Sequence, residues 1–226
     1  MAVFYDGISL QNGRRVNMDS LLLNVRSVGG GTLCLAAVCD GVGSLADGAF
    51  AAASAVRMLR NWFENLEDAE SLGHRLREYA ASMNLGIAAR ARTRGLDTAC
   101  TLSCLLLWEG DYCVVHAGDS RIYLWEGGRL RQLTRDHSRE GRLTSALGRW
   151  PETEIFYAEG PRQPGQRFLL CSDGLYKRMD ADVLAGAMGR LNHRELESVL
   201  RRLAEYVIAR GERDNISAAL VMNDER

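Results

Sequence analysis

The chain has almost no net charge, since 28 Lys and Arg residues oppose 29 Asp and Glu residues among 226. A chain balanced in this way has no overall field that would draw it to nucleic acid or to an anionic membrane surface. It also lacks any apolar run close to the roughly 20 residues of a transmembrane helix. The opening MAVFYDGISL lacks the charged start and long apolar core of a signal peptide. We therefore expect a cytoplasmic protein that binds neither nucleic acid nor membranes.

The cysteines lack the closely spaced pairs that are typical of a zinc site. All of them stand within apolar stretches, where a free thiol behaves as a small hydrophobic side chain. We therefore expect reduced thiols in the core at Cys34, Cys39, Cys100, Cys104, Cys113 and Cys171.

Linkers, internal repeats and low-complexity segments are also missing, which favours one domain over residues 1–226. Apolar periodicity predicts strands at 20–28 and 32–39, followed by helices at 48–66 and 69–92. Later strands are predicted within 98–108, 111–118, 121–128, 166–172 and 215–222, with a helix at about 193–210. Runs of strands broken by helices indicate an α+β fold in which antiparallel sheets pack together and helices lie outside.

Two of these strands end in the same dipeptide, as AAVCDG at Asp40 and FLLCSDG at Asp173. A single Asp-Gly is most simply a turn. However, the strand RDNISAALV begins just after Asp214, and in an antiparallel sheet the end of one strand lies beside the start of its neighbour. Asp173 and Asp214 are thus predicted to share a rim, which Asp40 joins. Three crowded carboxylates repel unless cations neutralise them, and oxygen ligands favour Mg²⁺ or Mn²⁺ over zinc.

Seven short motifs occur in a fixed order across about 200 residues. They are RRVNMD (14–19), DGVG (40–43), GDSR (118–121), DHS (136–138), ALG (146–148), SDGL (172–175) and DN (214–215). Together they resemble the metal-dependent protein phosphatases of the protein phosphatase 2C type, especially the compact bacterial members. The resemblance implies a single catalytic domain over residues 1–226. It also implies a four-layer α/β/β/α sandwich, in which two central antiparallel sheets are flanked by helix pairs.

The same resemblance assigns roles in a metal centre. It implies that two Mn²⁺ or Mg²⁺ ions are held by the carboxylates of Asp40, Asp173 and Asp214, with the backbone carbonyl of Gly41 as a further ligand. Asp19 matches the acid that supports this centre.

Two further positions match family residues. Arg14 matches the arginine that holds the substrate phosphate, for which a planar guanidinium is suited. Asp119 matches an acid that helps to bind a third metal ion, although a turn residue is the competing interpretation.

The implied activity is hydrolysis of phosphoserine and phosphothreonine in proteins by a hydroxide that bridges two metal ions. We expect phosphorylated proteins and a cognate Ser/Thr kinase as partners. We also expect the protein to be a monomer. Two alternatives stay open: a phosphoprotein-binding regulatory module of the same fold with little turnover, and a phosphatase dedicated to one regulatory protein.

Three departures from the family pattern stand near this site. Met18 replaces a Glu or Gln that contacts metal through water, and Val42 stands where some members carry a histidine proposed as general acid. Only REGRLTS (139–145) stands where a longer flap is usual. We expect an open site that hydrolyses varied phosphopeptides with similar kcat/KM, unless RWPETE (149–154) covers it.

His116, in an apolar strand, is expected to be a core residue, and His137 to lie in a turn held by Asp136 and Ser138.

Overall fold

A computed structural model describes residues 2–45 and 47–224. The first half contains strands β1 (Ala2–Leu10), β2 (Ser20–Val28) and β3 (Gly31–Cys39), helices α1 (Gly48–Glu64) and α2 (Leu72–Arg94), and strands β4 (Leu102–Leu107) and β5 (Asp111–Ala117). Strands β6 (Arg121–Glu126), β7 (Arg129–Gln132), β8 (Ser138–Arg139), β9 (Arg142–Leu143), β10 (Phe156–Pro161) and β11 (Arg167–Cys171) follow. The chain then forms helices α3 (Asp173–Tyr176), α4 (Ala181–Gly189) and α5 (Leu196–Ala209) and strand β12 (Ile216–Asp224).

The strands form two five-stranded antiparallel sheets and one small hairpin. The first sheet has the order β1-β12-β11-β6-β7, and the second has the order β10-β5-β4-β3-β2. The hairpin pairs β8 with β9. The first and last strands are neighbours, since Ala2 pairs with Asp224 and Leu10 with Ile216.

Three apolar layers hold the sheets and helices together. Leu33, Leu35 and Ala37 of β3 face a core shared with α1 and α2. The intervening Cys34, Ala36 and Val38 face Phe168, Leu170 and Val221 of the other sheet. A third cluster joins the outer face of the first sheet to α4 and α5. Because successive side chains of a strand point to opposite faces, β3 is apolar and buried on both sides from Leu33 to Cys39. The predicted α/β/β/α sandwich is confirmed.

Most of the expected elements form within a few residues of their predicted bounds. The helix predicted at 48–66 ends at Glu64, the one predicted at 69–92 runs from Leu72 to Arg94, and the one near 193–210 spans Leu196–Ala209. Strands β1, β7, β8, β9 and β10 and helices α3 and α4 were not predicted. The six cysteines are buried free thiols, as expected. No helix among the described residues is long and apolar enough to cross a membrane.

The sheet topology brings the acids to one edge. Strand β11 ends at Cys171, which pairs with Ala218 near the start of β12, so Asp173 and Asp214 flank the same edge of the first sheet. Strand β3 of the second sheet ends at Cys39, immediately before Asp40. The predicted shared rim is therefore present.

Candidate metal centre

A cleft of about 470 Å³ opens at this edge of the sandwich. The carboxylates that line it are Asp40, Asp119, Asp173 and Asp214. Gly41 lines it as well, so the residue whose carbonyl is a predicted ligand lies beside the acids. Strand ends from both sheets thus supply an all-oxygen set of possible ligands to one concave surface.

These carboxylates are close enough to disfavour one another's charge. Burial raises the pKa of Asp40 well above its usual range, and the neighbouring carboxyls of Asp19, Asp173, Asp119 and Asp214 raise it further. Burial, followed by the charge of Asp173, raises the pKa of Asp119 to about 6. A cation bound in the cleft would relieve this repulsion.

Asp19 lies behind the cleft wall and is 8% exposed. Ser172 Oγ donates a 2.9 Å hydrogen bond to Asp19 Oδ2, whereas the buried Oδ1 atom has no hydrogen-bond partner in the structure. Burial raises the pKa of Asp19 to about 6. A buried carboxylate oxygen with no partner is costly unless a cation or water completes its surroundings.

Two of the acids are engaged by cationic side chains. Arg14 donates from Nε and Nη2 to the two carboxylate oxygens of Asp214, at 2.8 and 2.6 Å. Lys177 Nζ donates to Asp173 Oδ2. Within residues 2–45 and 47–224, no three His, Cys, Asp or Glu side chains already form a metal-binding cluster.

The residues present nevertheless fit divalent cations. The donors are carboxylate and carbonyl oxygens, which Mg²⁺ and Mn²⁺ prefer. The unpartnered Asp19 Oδ1 and the repulsion around Asp40 both indicate missing positive charge. Arg14 and Lys177 also show that this edge already attracts cations.

Both Asp-Gly dipeptides need glycine because another backbone segment lies against it. A Cβ added at Gly41 would lie 2.5 Å from the carbonyl carbon of Gly48, at the start of α1. A Cβ added at Gly174 would overlap the carbonyl oxygen of Asn215. The dipeptides are therefore close-packing sites rather than free turns.

A network of side chains fixes the loop that carries Asp119. Tyr176 Oη donates to the carbonyl of Asp119 at 2.9 Å, and the Arg121 guanidinium lies 3.7 Å from the centre of the Tyr176 ring. Arg121 in turn donates from Nε and Nη2 to Asp136. GDSR and DHS therefore act together, through the Arg121–Asp136 ion pair, to hold this loop against α3. His137 was predicted to lie in a turn held by Asp136 and Ser138. In the structure Asp136 accepts from Arg121 and Gln132, and Ser138 begins strand β8.

Three further residues organise the site and were assigned no role from the sequence, although Asn215 belongs to the DN motif. Thr101 holds Asp40, because its Oγ1 accepts from the Asp40 amide at 2.9 Å and its amide donates to the Asp40 carbonyl at 2.8 Å. Asn215 Oδ1 accepts from the Met18 amide at 2.9 Å, while its Nδ2 donates to the carbonyls of the segment before Met18. For Lys177 the sequence contains one indication of its role, because it stands four residues, or one helical turn, after Asp173.

The histidines lie outside the set of oxygen ligands. His116 is fully buried, with Nδ1 3.0 Å from Ser103 Oγ and Nε2 2.9 Å from the Gly118 carbonyl oxygen. Burial lowers the pKa of His116 to about 4, so the ring is neutral near pH 7. The expected core role is confirmed. His137 is also buried, and its amide donates to the Gly118 carbonyl at 2.7 Å.

The short segment after DHS is an ordered hairpin. Strands β8 and β9 are joined at Glu140 and Gly141, whose φ angles are 51° and 73°. Gly141 and Leu143 reach the cleft wall. Arg149 and Trp150 of RWPETE line a neighbouring groove instead.

The sequence is similar to a known protein family and to two bacterial phosphatases. Residues 9–221 match the Protein phosphatase 2C family. The serine/threonine protein phosphatase PstP of Mycobacterium tuberculosis is 29% identical over 235 residues, a match that covers 92% of this chain. This chain spans only 42% of the length of PstP. The serine/threonine phosphatase Stp of Listeria monocytogenes is 29% identical over 218 residues, covering 83% of each protein.

Solved structures agree with the sequence match. The catalytic domain of PstP, in complex with two manganese ions, superposes with a TM-score of 0.82 at 28% identity and covers 97% of both chains. PppA, described as a key regulatory component of T6SS in Pseudomonas aeruginosa, gives a TM-score of 0.82 at 30% identity and covers 98% of both chains. The family match spans most of the sequence and includes each acid of the cleft. The chain therefore belongs to the protein phosphatase 2C family.

Proposed function

We propose that this chain is a metal-dependent serine/threonine protein phosphatase that hydrolyses phosphoserine and phosphothreonine in proteins. The observation that carries the proposal is the convergence of four carboxylates, from strand ends of both sheets, on one cleft. Membership of the protein phosphatase 2C family supports it. One domain over residues 1–226, a cytoplasmic location, a monomeric state and a Ser/Thr kinase acting on the same substrates belong to the same proposal.

Asp40, Asp173 and Asp214, with the Gly41 carbonyl, would hold two Mn²⁺ or Mg²⁺ ions, and Asp119 would contribute to a third. When bound, such ions supply an activated water and neutralise charge on the transferring phosphoryl group. Asp19 supports the centre from behind, where its Oδ2 is already oriented by Ser172.

Arg14 has two competing partners in this cleft. Its fork now contacts both oxygens of Asp214, and these are the atoms that Asp214 would offer as a ligand. We therefore expect Arg14 to turn from Asp214 to the substrate phosphate when the centre is loaded, because the same planar fork matches phosphate oxygens. Val42 also lines the cleft and cannot donate a proton, so water or another group would protonate the leaving alkoxide.

The full chain, assayed with a phosphothreonine peptide and with an aryl phosphate, tests the proposal. We expect turnover of both substrates with Mn²⁺ and none with excess chelator. Asp214→Asn should remove nearly all turnover, whereas Asp68→Asn, an exposed acid in the loop between α1 and α2, should leave turnover unchanged. Full activity in the chelated enzyme would contradict the proposal. Metal-dependent peptide binding without turnover would instead support the regulatory binding module.

Two substitutions separate binding from chemistry. Arg14→Ala should raise KM about tenfold with little change in kcat, since its fork contacts phosphate oxygens in both the ground state and the transition state. Asp119→Ala should lower kcat instead, because the loss of a third ion affects turnover while the two central ions stay bound. An unchanged kcat for Asp119→Ala would leave Asp119 as a turn residue only.

A further inference from the structure

A second concavity, which we call the side groove, opens beside the metal cleft and has a volume of about 490 Å³. Four residues line both the side groove and the cleft: Val42, Ser44, Gly141 and Leu143. A peptide whose phosphorylated residue lies in the cleft therefore has a neighbouring residue within reach of the groove.

The wall of the side groove is apolar, and its edge is basic. Leu45, Ala146 and Trp150 are part of the lining, and Trp150 is 37% exposed, which is high for a large apolar side chain. Arg142 and Arg149 are exposed at the same groove, and Arg149 Nη1 donates to Asp97 Oδ1 at 2.9 Å. This lining suits an apolar side chain and disfavours a lysine.

Both sides of the groove are held in place before any ligand arrives. The buried Asn84 of α2 donates to the carbonyl of Trp150 at 2.9 Å and accepts from the amide of Gly148 at 2.7 Å. On the other side, the Thr144 amide donates to the His137 carbonyl at 2.8 Å and closes the base of the β8–β9 hairpin. Little ordering is then required on binding, which favours selective contact.

We propose that the side groove binds a bulky apolar side chain that stands next to the phosphorylated residue of the substrate protein. The inference rests on the proposed function, since it names the substrate sequence that this cleft prefers. It replaces the expectation, drawn from the short segment after DHS, that neighbouring residues have little influence. Trp150 and Leu143 supply apolar contact, and Arg142 disfavours a cationic neighbour.

The test is a panel of phosphothreonine peptides in an alanine background, with Leu or Lys placed singly at each of the two positions on either side. At one position, we expect Leu to raise kcat/KM about five- to tenfold over Ala, the effect of partly burying one leucine side chain. Lys at that position should lower it. Leu-to-Ala ratios within about twofold at all four positions, with all peptides hydrolysed, would overturn the inference and leave the proposed function standing.

Substitutions in the side groove test whether the preference for leucine arises there. Trp150→Ala should bring the Leu-to-Ala ratio close to one, whereas Leu85→Ala, which removes a 57% exposed side chain on α2, should preserve both the ratio and the turnover of aryl phosphate. Arg142→Glu, at an exposed hairpin position, should reduce the discrimination against Lys. An unchanged ratio in Trp150→Ala would overturn the assignment. Failure to hydrolyse any peptide or the aryl phosphate would overturn the proposed function and this inference together.

Discussion

The end of β3 and the end of β11 present the same dipeptide to the cleft in different electrostatic surroundings. Asp40 faces other carboxyls, which add to the effect of burial in raising its pKa. Asp173 forms an ion pair with Lys177 one helical turn later. We call these two strand ends the Asp40 corner and the Asp173 corner. A metal ion bound in the cleft would supply charge that the Asp40 corner lacks, whereas at the Asp173 corner it would compete with the Lys177 cation.

The largest expected effect concerns activity and is the same at the two corners, which differ instead in stability without metal. Asp40→Asn and Asp173→Asn should each lower kcat with Mn²⁺ by at least about 100-fold, because each would remove the charge of a proposed metal ligand. Without metal, however, Asp40→Asn should raise the unfolding temperature by at least about 2 °C, since it removes an unfavourable charge. Asp173→Asn should not, because it leaves Lys177 unpaired.

The stabilisation by Asp40→Asn should depend on pH. A carboxyl whose pKa is raised in the folded state costs stability as the pH rises from its ordinary value through the raised one. The advantage of Asn should therefore be small near pH 4 and larger at pH 8. Thermal unfolding in chelator at both pH values measures it, and equal shifts would show that Asp40 is not the unfavourable charge.

The second effect concerns packing. Gly174→Ala should destabilise the protein by about 3 kcal/mol and Gly41→Ala by about 2 kcal/mol, because each Cβ meets backbone atoms that cannot rotate away. Gly186→Ala, in α4 with nothing within 4 Å of its added Cβ, is the matched control and should be neutral or stabilising. Denaturant unfolding measures all three. A small loss of stability in Gly174→Ala would mean that the backbone at the start of β12 moves easily to make room for the added Cβ.

The smallest expected effect concerns the affinity for Mn²⁺ at the Asp173 corner. Lys177→Ala should lower the Mn²⁺ concentration for half-saturation about two- to fivefold, since removing a nearby cation from a partly exposed site favours a divalent ion modestly. Arg178→Ala, which removes the adjacent exposed cation that pairs with Glu212, should have no such effect. Calorimetric titration with Mn²⁺ is the measurement. Weaker metal binding in Lys177→Ala would mean that Lys177 orients Asp173 rather than competing for it.

The sequence predicted the layers and the rim acids Asp40, Asp173 and Asp214 because both depend on local patterns, whereas Asp19 and Asp119 were implied only by the family resemblance. Continuous apolar strands such as β3 indicate burial on both faces, and an Asp after such a strand must lie at its end. The edge strand β10, FYAEGP, was missed because Gly and Pro interrupt its pattern. The short helix α4, ADVLAGAMG, carries too few periodic positions to be identified.

The parts of the site that could not be predicted depend on contacts distant in the chain. Arg121 with Asp136 and Asn215 with Met18 join segments separated by 15 and 197 residues. Nothing in the local sequence of either segment specifies its partner. The hydrogen bond between Arg14 and Asp214 also joins distant segments. Arg14 was predicted to bind phosphate, but its bond to Asp214 could not be predicted.

The pairing of β1 with β12 has a consequence for protein synthesis. Residues 2–10 lie beside residues 216–224, so β1 gains this partner only after a strand that stands much later in the sequence has been synthesised. Asp214 and Asn215, which hold the segment that follows β1, are delivered together with that late strand. Because long-range strand pairing is slow and leaves earlier segments exposed, the nascent chain presents an unpaired β1 edge until β12 has emerged. The edge that carries Asp40, Asp173 and Asp214 is thus assembled only after β12 has been synthesised, so we expect chains truncated before β12 to be inactive.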